Sequence, residues 1–523
     1  MAHARLEIYD TTLRDGAQQE GISLTVSDKL RIASLLDQLG VAYIEGGWPG
    51  ANPKDSEFFK RARSELNLGT STLTAFSSTR RPRGVVDGHL QMLNVLEADT
   101  EVVCIVGKAW DYHVREALRT DLEDGIAMVA DSVAYLVRHG RRVFFDAEHF
   151  FDGYAANPEF SLAVLRAALE EGAERLVLCD TNGGRLVTQV TDTVLQVQDA
   201  LPEAELGVHF HNDAGCAVAS SLAAAALGVR QVQGCINGYG ERTGNADLST
   251  ILPDLVLKMG VPVLDPARLE TLSPIAHHIA EIVNISLDPH SPYVGTSAFT
   301  HKAGLHTSAL ARRPDAYEHQ NPALVGNRTR MVVSELSGKA TILSKAKDLG
   351  VELSDHQAIE VLDEIKHMEH RGYHFEAADG SFELMLRRAT GWTHDYFELE
   401  SFRVFTERRG GEATLAEATV KLTIRGERII TTGEGNGPVN ALDHALRGAL
   451  ILHFPELAVL RLTNYRVRVL DATESTAATV RVFIEMSDGV SAWGSIGVHT
   501  NVIEASWEAL EDGIVLGLLR AGA

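Results

Sequence analysis

Two histidines close the apolar run LGVHFHND, residues 206–213. Side chains on a β-strand alternate faces, so His209 and His211 point to one side and Phe210 to the other. Neutral imidazoles spaced this way make half of a metal site. A carboxylate stands at Asp15 in the turn RDG, and an amide oxygen at Asn245 in GYGERTGNADL. Two imidazoles, a carboxylate and a carbonyl oxygen, with positions left open, suit an octahedral divalent ion: Mg, Mn, Co or Zn. The set contains no thiolate, unlike most structural zinc sites. An open-sided ion can chelate a 2-oxo acid through its carboxylate and keto oxygens, as Lewis acid and template. Arg14, beside Asp15, is placed to meet charge developing on the keto oxygen. A second reading stands beside this one. His-x-His is also a pair of solvated polar residues at a strand end, and Arg-Asp-Gly is an ordinary turn.

Something must bring residue 15 to residues 209–245. From residue 5 to about 260 one rhythm recurs: short apolar strand, polar or glycine-rich turn, amphipathic helix. Eight strands are predicted at 6–13, 41–47, 71–78, 101–108, 142–149, 175–182, 206–213 and 231–238. A helix is predicted over Ser27–Leu39, with Ser27 as N-cap and Gly40 as its stop. Eight β–α units point to a (β/α)8 TIM barrel, with a doubly wound open sheet as the alternative. A barrel gathers its chemistry at the C-terminal ends of its strands. Those ends carry Arg14, Asp15, Glu45, Arg80, Arg81, Lys108, Glu148, Thr181, Asn182, His209, His211 and Glu241. Polar loops account for many of these, but less well for Glu148, His209 and His211 inside apolar runs.

The domain plan is a barrel over 1–270, a helical linker or subdomain over 271–395 and a C-terminal α+β domain over 396–523. The last segment holds a weak repeat. EATVKLTIRGERI, a loop and VNALDHALRGALI are echoed by AATVRVFIEMSDGV, a loop and IEASWEALEDGIV, each half reading as strands and one helix. The glycine-rich TTGEGNGPVNAL reads as a loop feeding a helix N-terminus. It matches neither G-x-G-x-x-G nor a P-loop, though such a terminus can hold a small carboxylate.

A net charge of -23 argues against general binding to nucleic acid or anionic membranes. Arg80, Arg81 and Arg83 form a local basic cluster that could meet phosphates, or be a solvated loop. The four cysteines form no CxxC pair and read as reduced thiols of a cytoplasmic protein. MAHARLEIYD lacks the apolar core of a signal peptide, and no run reaches the roughly 20 apolar residues of a membrane span.

DTTLRDGAQQEG, YIEGGWPG, FDAEHFFDGY, LCDTNGG, HFHNDAGCAVA and GYGERTGNADL together resemble the 2-isopropylmalate/homocitrate/citramalate synthase family. The likeness extends through FTHKAGLHTSAL and SELSGKA to the C-terminal repeat, which is similar to that family's allosteric domain. IEGGWPGANPKD and AEHFFDGY most resemble the citramalate synthase branch, which uses pyruvate. The resemblance implies a metal-dependent barrel acyltransferase joining acetyl-CoA to a 2-oxo acid, in isoleucine biosynthesis if the acid is pyruvate. It implies Asp15, His209, His211 and Asn245 as the metal site and Arg14 at the keto group. It further implies Thr181 at the oxo-acid carboxylate, Glu148 at the acetyl group and Glu241 nearby. His306 and Tyr317 would complete the site, often from the partner of a homodimer; His301 ranks below His306, and His149 below Glu148. An amino-acid effector is implied for the C-terminal domain.

One departure bears on substrate. Isopropylmalate synthases usually read D-G-E-Q-x-P after the first strand; here the run is DGAQQEG, with Ala17 in place of the glutamate. That favours pyruvate over the larger oxo acids of the isopropylmalate and homocitrate branches. Two other enzyme types share the metal barrel. A 3-hydroxy-3-methylglutaryl-CoA lyase lacks the C-terminal repeat, and a biotin-dependent carboxyltransferase needs a ligand lysine that no matching strand end supplies.

Overall fold

The structure is a computed structural model and describes residues 6–302, 313, 317–333, 337–408, 414–470 and 477–522. The chain divides into two compact units. The first is Met1–Phe299 with Gln320–Thr329; the second is Thr300–His319 with Arg330–Ala523.

In the first unit eight parallel strands close on themselves: β1 (Glu7–Asp10), β2 (Tyr43–Gly47), β3 (Thr72–Ser78), β4 (Val102–Lys108), β5 (Arg142–Glu148), β6 (Arg175–Asp180), β7 (Leu206–Phe210) and β8 (Gln231–Gly234). The pairing of β8 with β1, Ile8 opposite Val232, decides for the barrel over the open sheet. Helices on the outside bury one face of each strand; Tyr9, Tyr43, Phe76, Val102, Cys104 and Phe144 fill part of the interior. The N-terminal end of the barrel is closed by ion pairs, Arg175 to Glu7 and Glu205 and Arg142 to Glu174. The first helix, Val26–Leu39, is capped by Thr25 rather than Ser27. Thr25 and Asp28 form a reciprocal capping box, which satisfies two amide donors where a lone serine would satisfy one. Gly40 ends it, as expected, at φ 96°. Cys104, Cys179 and Cys235 are buried free thiols.

The second unit holds two antiparallel three-stranded sheets. These are β11 (Glu398–Glu407), β12 (Leu415–Ile424) and β13 (Glu427–Gly435), then β14 (Arg461–Val469), β15 (Val480–Ser487) and β16 (Ala492–His499). Two short paired strands, β9 (Thr300–His301) and β10 (Arg330–Met331), precede them. Each large sheet is followed by one helix, Pro438–Leu450 and Val502–Ala521, so the repeat in the sequence is a repeat of β–β–β–α. Ala416, Ala418, Val420, Leu422 and Ile424 are all buried, the period of two expected of a half-buried strand. The expected glycine-rich loop is in part strand: β13 runs to Gly435. A Cβ on Gly433 would lie 2.4 Å from the Ala445 nitrogen, so these glycines let the helix lie close against the strand. Three helices, Lys339–Asp348, Asp355–His370 and Asp379–Ala389, share a separate core with Ile496 and Val498. No helix among the described residues is long and apolar enough to cross a membrane.

Candidate metal centre

The turn after β1 is held by its own first residues. Asp10 accepts from the Thr12 amide at 2.9 Å and from the Thr12 hydroxyl at 3.0 Å. The Thr12 hydroxyl in turn accepts from the Ile236 amide at 3.0 Å, and the Thr11 amide donates to the Gly234 carbonyl at 2.8 Å. The Asp-Thr-Thr run therefore docks the turn on β8 and aims Arg14 and Asp15 across the barrel mouth. Burial pushes the Asp10 carboxyl up to about 7. Gly16 allows the close approach: a Cβ there would meet the Cys235 sulfur at 3.2 Å.

Asp15 arrives buried, with Oδ2 at 3.2 Å from His209 Nε2 and 3.7 Å from His211 Nε2. One donor atom from each of the three lies within 4.8 Å of the others. Asn245 is fixed beside them by a bridge to His211; its Nδ2 donates to the Tyr239 carbonyl at 2.9 Å, while its buried Oδ1 has no hydrogen-bond partner. A buried amide oxygen without a partner is costly unless something else satisfies it. A carboxylate, two imidazoles and that oxygen fit a divalent cation.

The electrostatics agree. Burial would raise the Asp15 carboxyl, but Arg14 and His209 outweigh it and hold it well below the usual carboxylate range. Burial disfavours the His209 cation, yet Asp15 holds its pKa above the ordinary value. His211, desolvated and next to His209, is pushed down to about 4 and is neutral near pH 7. Its Nδ1 lies 3.3 Å from Arg242 Nη2, a donor, so this contact must relax before Nε2 presents a lone pair.

Arg14 is clamped by Glu45, lies 3.6 Å from Asp15 Oδ1 and sits 3.8 Å above the Phe76 ring. Glu45 also accepts from Tyr9 at 2.8 Å. The sequence reading missed Glu45 as the anchor of Arg14, and it missed Asp146 and Gln233 below His209. The available signal was polar residues at inward positions of apolar strands, as in QVQG and FFDAE.

Glu148, at the end of β5, pairs with Lys108 of β4 at 2.5 Å. The Thr181 hydroxyl accepts from the His149 amide at 2.9 Å and keeps its own proton to donate. His149 itself has φ 56°, and its ring contacts His113 at 4.3 Å rather than the triad. Glu241 is not brought into the cluster: its side chain is 56% exposed. The next residue, Arg242, though also exposed, reaches the site's edge and donates to the Thr181 carbonyl at 2.9 Å and to Asp213 at 2.8 Å. Of the basic cluster, Arg80 is buried and paired with Asp124 and Asp131, while Arg81 and Arg83 are exposed. Tyr317 and His301 belong to the second unit, Tyr317 exposed and His301 largely buried. His306 lies outside the described residues.

Comparison with known proteins adds three family models in chain order. An HMGL-like model matches residues 5–274, a homocitrate synthase post-HMGL domain-like model matches 293–373, and a LeuA allosteric (dimerisation) domain model matches 376–517. Full-length relatives include an (R)-citramalate synthase of Streptomyces coelicolor, 52% identical over 98% of this chain and 97% of its own. Another, from Aquifex aeolicus, is 48% identical over 99% of this chain and 98% of its own. A probable 2-isopropylmalate synthase of Methanopyrus kandleri is 31% identical over 98% of each chain.

Proposed function

The chain belongs to the 2-isopropylmalate/homocitrate/citramalate synthase family, on its citramalate synthase branch, and from that premise we propose how its residues carry out the reaction. The reaction joins the methyl carbon of acetyl-CoA to the keto carbon of pyruvate, and water then cleaves the thioester to give citramalate and CoA. The full-length likeness to (R)-citramalate synthases carries this assignment; Ala17 in place of the isopropylmalate-type glutamate agrees with it.

Asp15, His209, His211 and Asn245 would hold a divalent ion, Mg, Mn, Co or Zn, which would supply Lewis acidity to the oxo acid. Arg14, immobilised by Glu45 and Phe76, presents a fixed cation to the oxygen that gains charge as the C–C bond forms. Thr181 donates its hydroxyl to the oxo-acid carboxylate. Glu148, with Lys108 beside it, orients the acetyl group. His306 and Tyr317 complete the site from the partner of a homodimer, with His306 or a water it orients taking the methyl proton. The functional division is 1–270 for chemistry, 271–395 for completing the site and 396–523 for binding an amino-acid effector, isoleucine in a cytoplasmic isoleucine route.

The test is a panel of pyruvate, 2-oxobutyrate, 2-oxoisovalerate and 2-oxoglutarate with acetyl-CoA and Mn or Mg, read by release of free CoA. Pyruvate is expected to give the highest kcat/KM; a preference for 2-oxoisovalerate would move the chain to the isopropylmalate branch. Isoleucine titrated into the intact protein should lower turnover, and an unchanged rate would refute the effector reading.

A further inference from the structure

We propose that Gln233, held by Asp146, fixes His209 in its metal-ligating tautomer; both are positioning residues that act through the imidazole. The inference rests on the metal reading above. Gln233 is fully buried and Asp146 nearly so. Two acceptors surround the Gln233 amide nitrogen: Asp146 Oδ1 at 3.0 Å and Gln231 Oε1 at 3.2 Å. An amide nitrogen has two hydrogens, one for each, whereas an amide oxygen turned that way would face the Asp146 carboxylate, which has no hydrogen to give. The amide is thereby oriented, and Oε1 is the atom left facing His209 Nδ1 at 3.0 Å. An amide oxygen can only accept. Nδ1 therefore carries a proton in either charge state, and Nε2, the atom 3.2 Å from Asp15 Oδ2, is the nitrogen that gives up its proton when a cation takes its place beside that carboxylate.

The two imidazoles differ in this respect. His211 meets the donor Arg242 on Nδ1, which favours the opposite tautomer. Of the pair, His209 is the one set in advance, and the setting comes from a carboxylate one residue removed from the site.

The test is calorimetric titration of Mn2+ into full-length, metal-stripped protein, with circular dichroism and a thermal midpoint on each metal-free variant. Asp146→Asn keeps shape but can supply the donor itself, so the Gln233 amide is no longer held. Gln233→Met removes the acceptor. Each single variant is expected to bind Mn2+ about 10- to 100-fold more weakly than the parent. The double variant Gln233→Glu with Asp146→Asn keeps volume and charge. Its carboxylate at 233 accepts from His209 Nδ1 and from the amide at 146, and Gln231, whose Nε2 has no hydrogen-bond partner, can turn to donate. Affinity should return to within about threefold of the parent. Singles that bind within about twofold of the parent, or a double no better than the singles, would overturn the proposal. Should a single variant not fold, a double that folds and binds weakly overturns it equally. A parent without saturable Mn2+ binding would instead sink the metal reading, a distinguishable outcome.

Discussion

The two ends of the barrel carry charged clusters built by the same rule, residues at the ends of neighbouring strands and in the turns beside them, yet they do different things. At the N-terminal end, Arg175 and Arg142 meet Glu7, Glu174 and Glu205, and cations and anions answer one another directly. At the C-terminal end, ligand-capable atoms of Asp15, His209 and His211 lie close together, Arg14 is already committed to Glu45, and the Asn245 oxygen has no hydrogen-bond partner. One cluster closes on itself; the other is short of a positive charge. The contrast teaches that a site is marked less by the presence of ionisable groups than by acceptors converging with too few donors among them.

The sharpest way to break the contrast is Asp15→Ala. Removing the one carboxylate of the triad should lower kcat/KM by about 10^3-fold or more, about 4 kcal/mol of transition-state stabilisation, and abolish measurable Mn2+ binding. The parallel change at the other end, Arg175→Met, should leave Mn2+ affinity unaltered while lowering stability by about 2 kcal/mol, read by denaturant unfolding. If Arg175→Met instead abolished metal binding, the two ends would not be independent. Asn245→Ala sharpens the upper cluster: losing one neutral ligand should weaken Mn2+ binding about 10-fold, some 1.4 kcal/mol.

The smallest effect concerns Asp152, near the upper rim, whose carboxyl is held down to about 2 by His149, Arg185 and Asn182. A depressed carboxylate stabilises the fold fully above its ordinary value of 3.8 and loses that contribution as pH falls through about 2. Asp152→Asn should therefore cost about 1–2 kcal/mol at pH 7, after allowance for solvent screening, and the gap should shrink steadily below about pH 4. A gap that persists at low pH would point to lost packing rather than lost charge.

Much of this architecture could be read before folding, for identifiable reasons. His209 and His211 share a face because β-strands alternate, and all eight strands were marked by apolar runs ending in polar ones. Closure was not legible, since nothing in a strand's own composition says whether β8 meets β1 or solvent. Adjacent loop residues were interchangeable on paper: Glu241 and Arg242 have no period to tell which contacts the site, and it is the arginine that reaches Thr181 and His211. Glu45 stood out as a strand-end residue, but nothing in its spacing pairs it with Arg14; Asp146 and Gln233 lie inside apolar strands, below the ends where a barrel gathers its chemistry. The TTGEG segment of β13 was misread because glycine there serves close packing against a helix rather than a turn.

The seam between β1 and β8 also dictates a schedule. The Thr12 hydroxyl that anchors the Asp15 turn is tied to Ile236, 224 residues downstream. During synthesis the first strand therefore waits, without the partner that orients it, until nearly the whole barrel has left the ribosome. On the metal reading proposed above, an ion arriving early would find a lone carboxylate; after closure it would find the whole ligand set, drawn from both edges of the seam. If the proposed ion binds, its ligand set and the closing seam of the barrel lie at one place, and the long-range pairing of β8 with β1 must come before the set is complete.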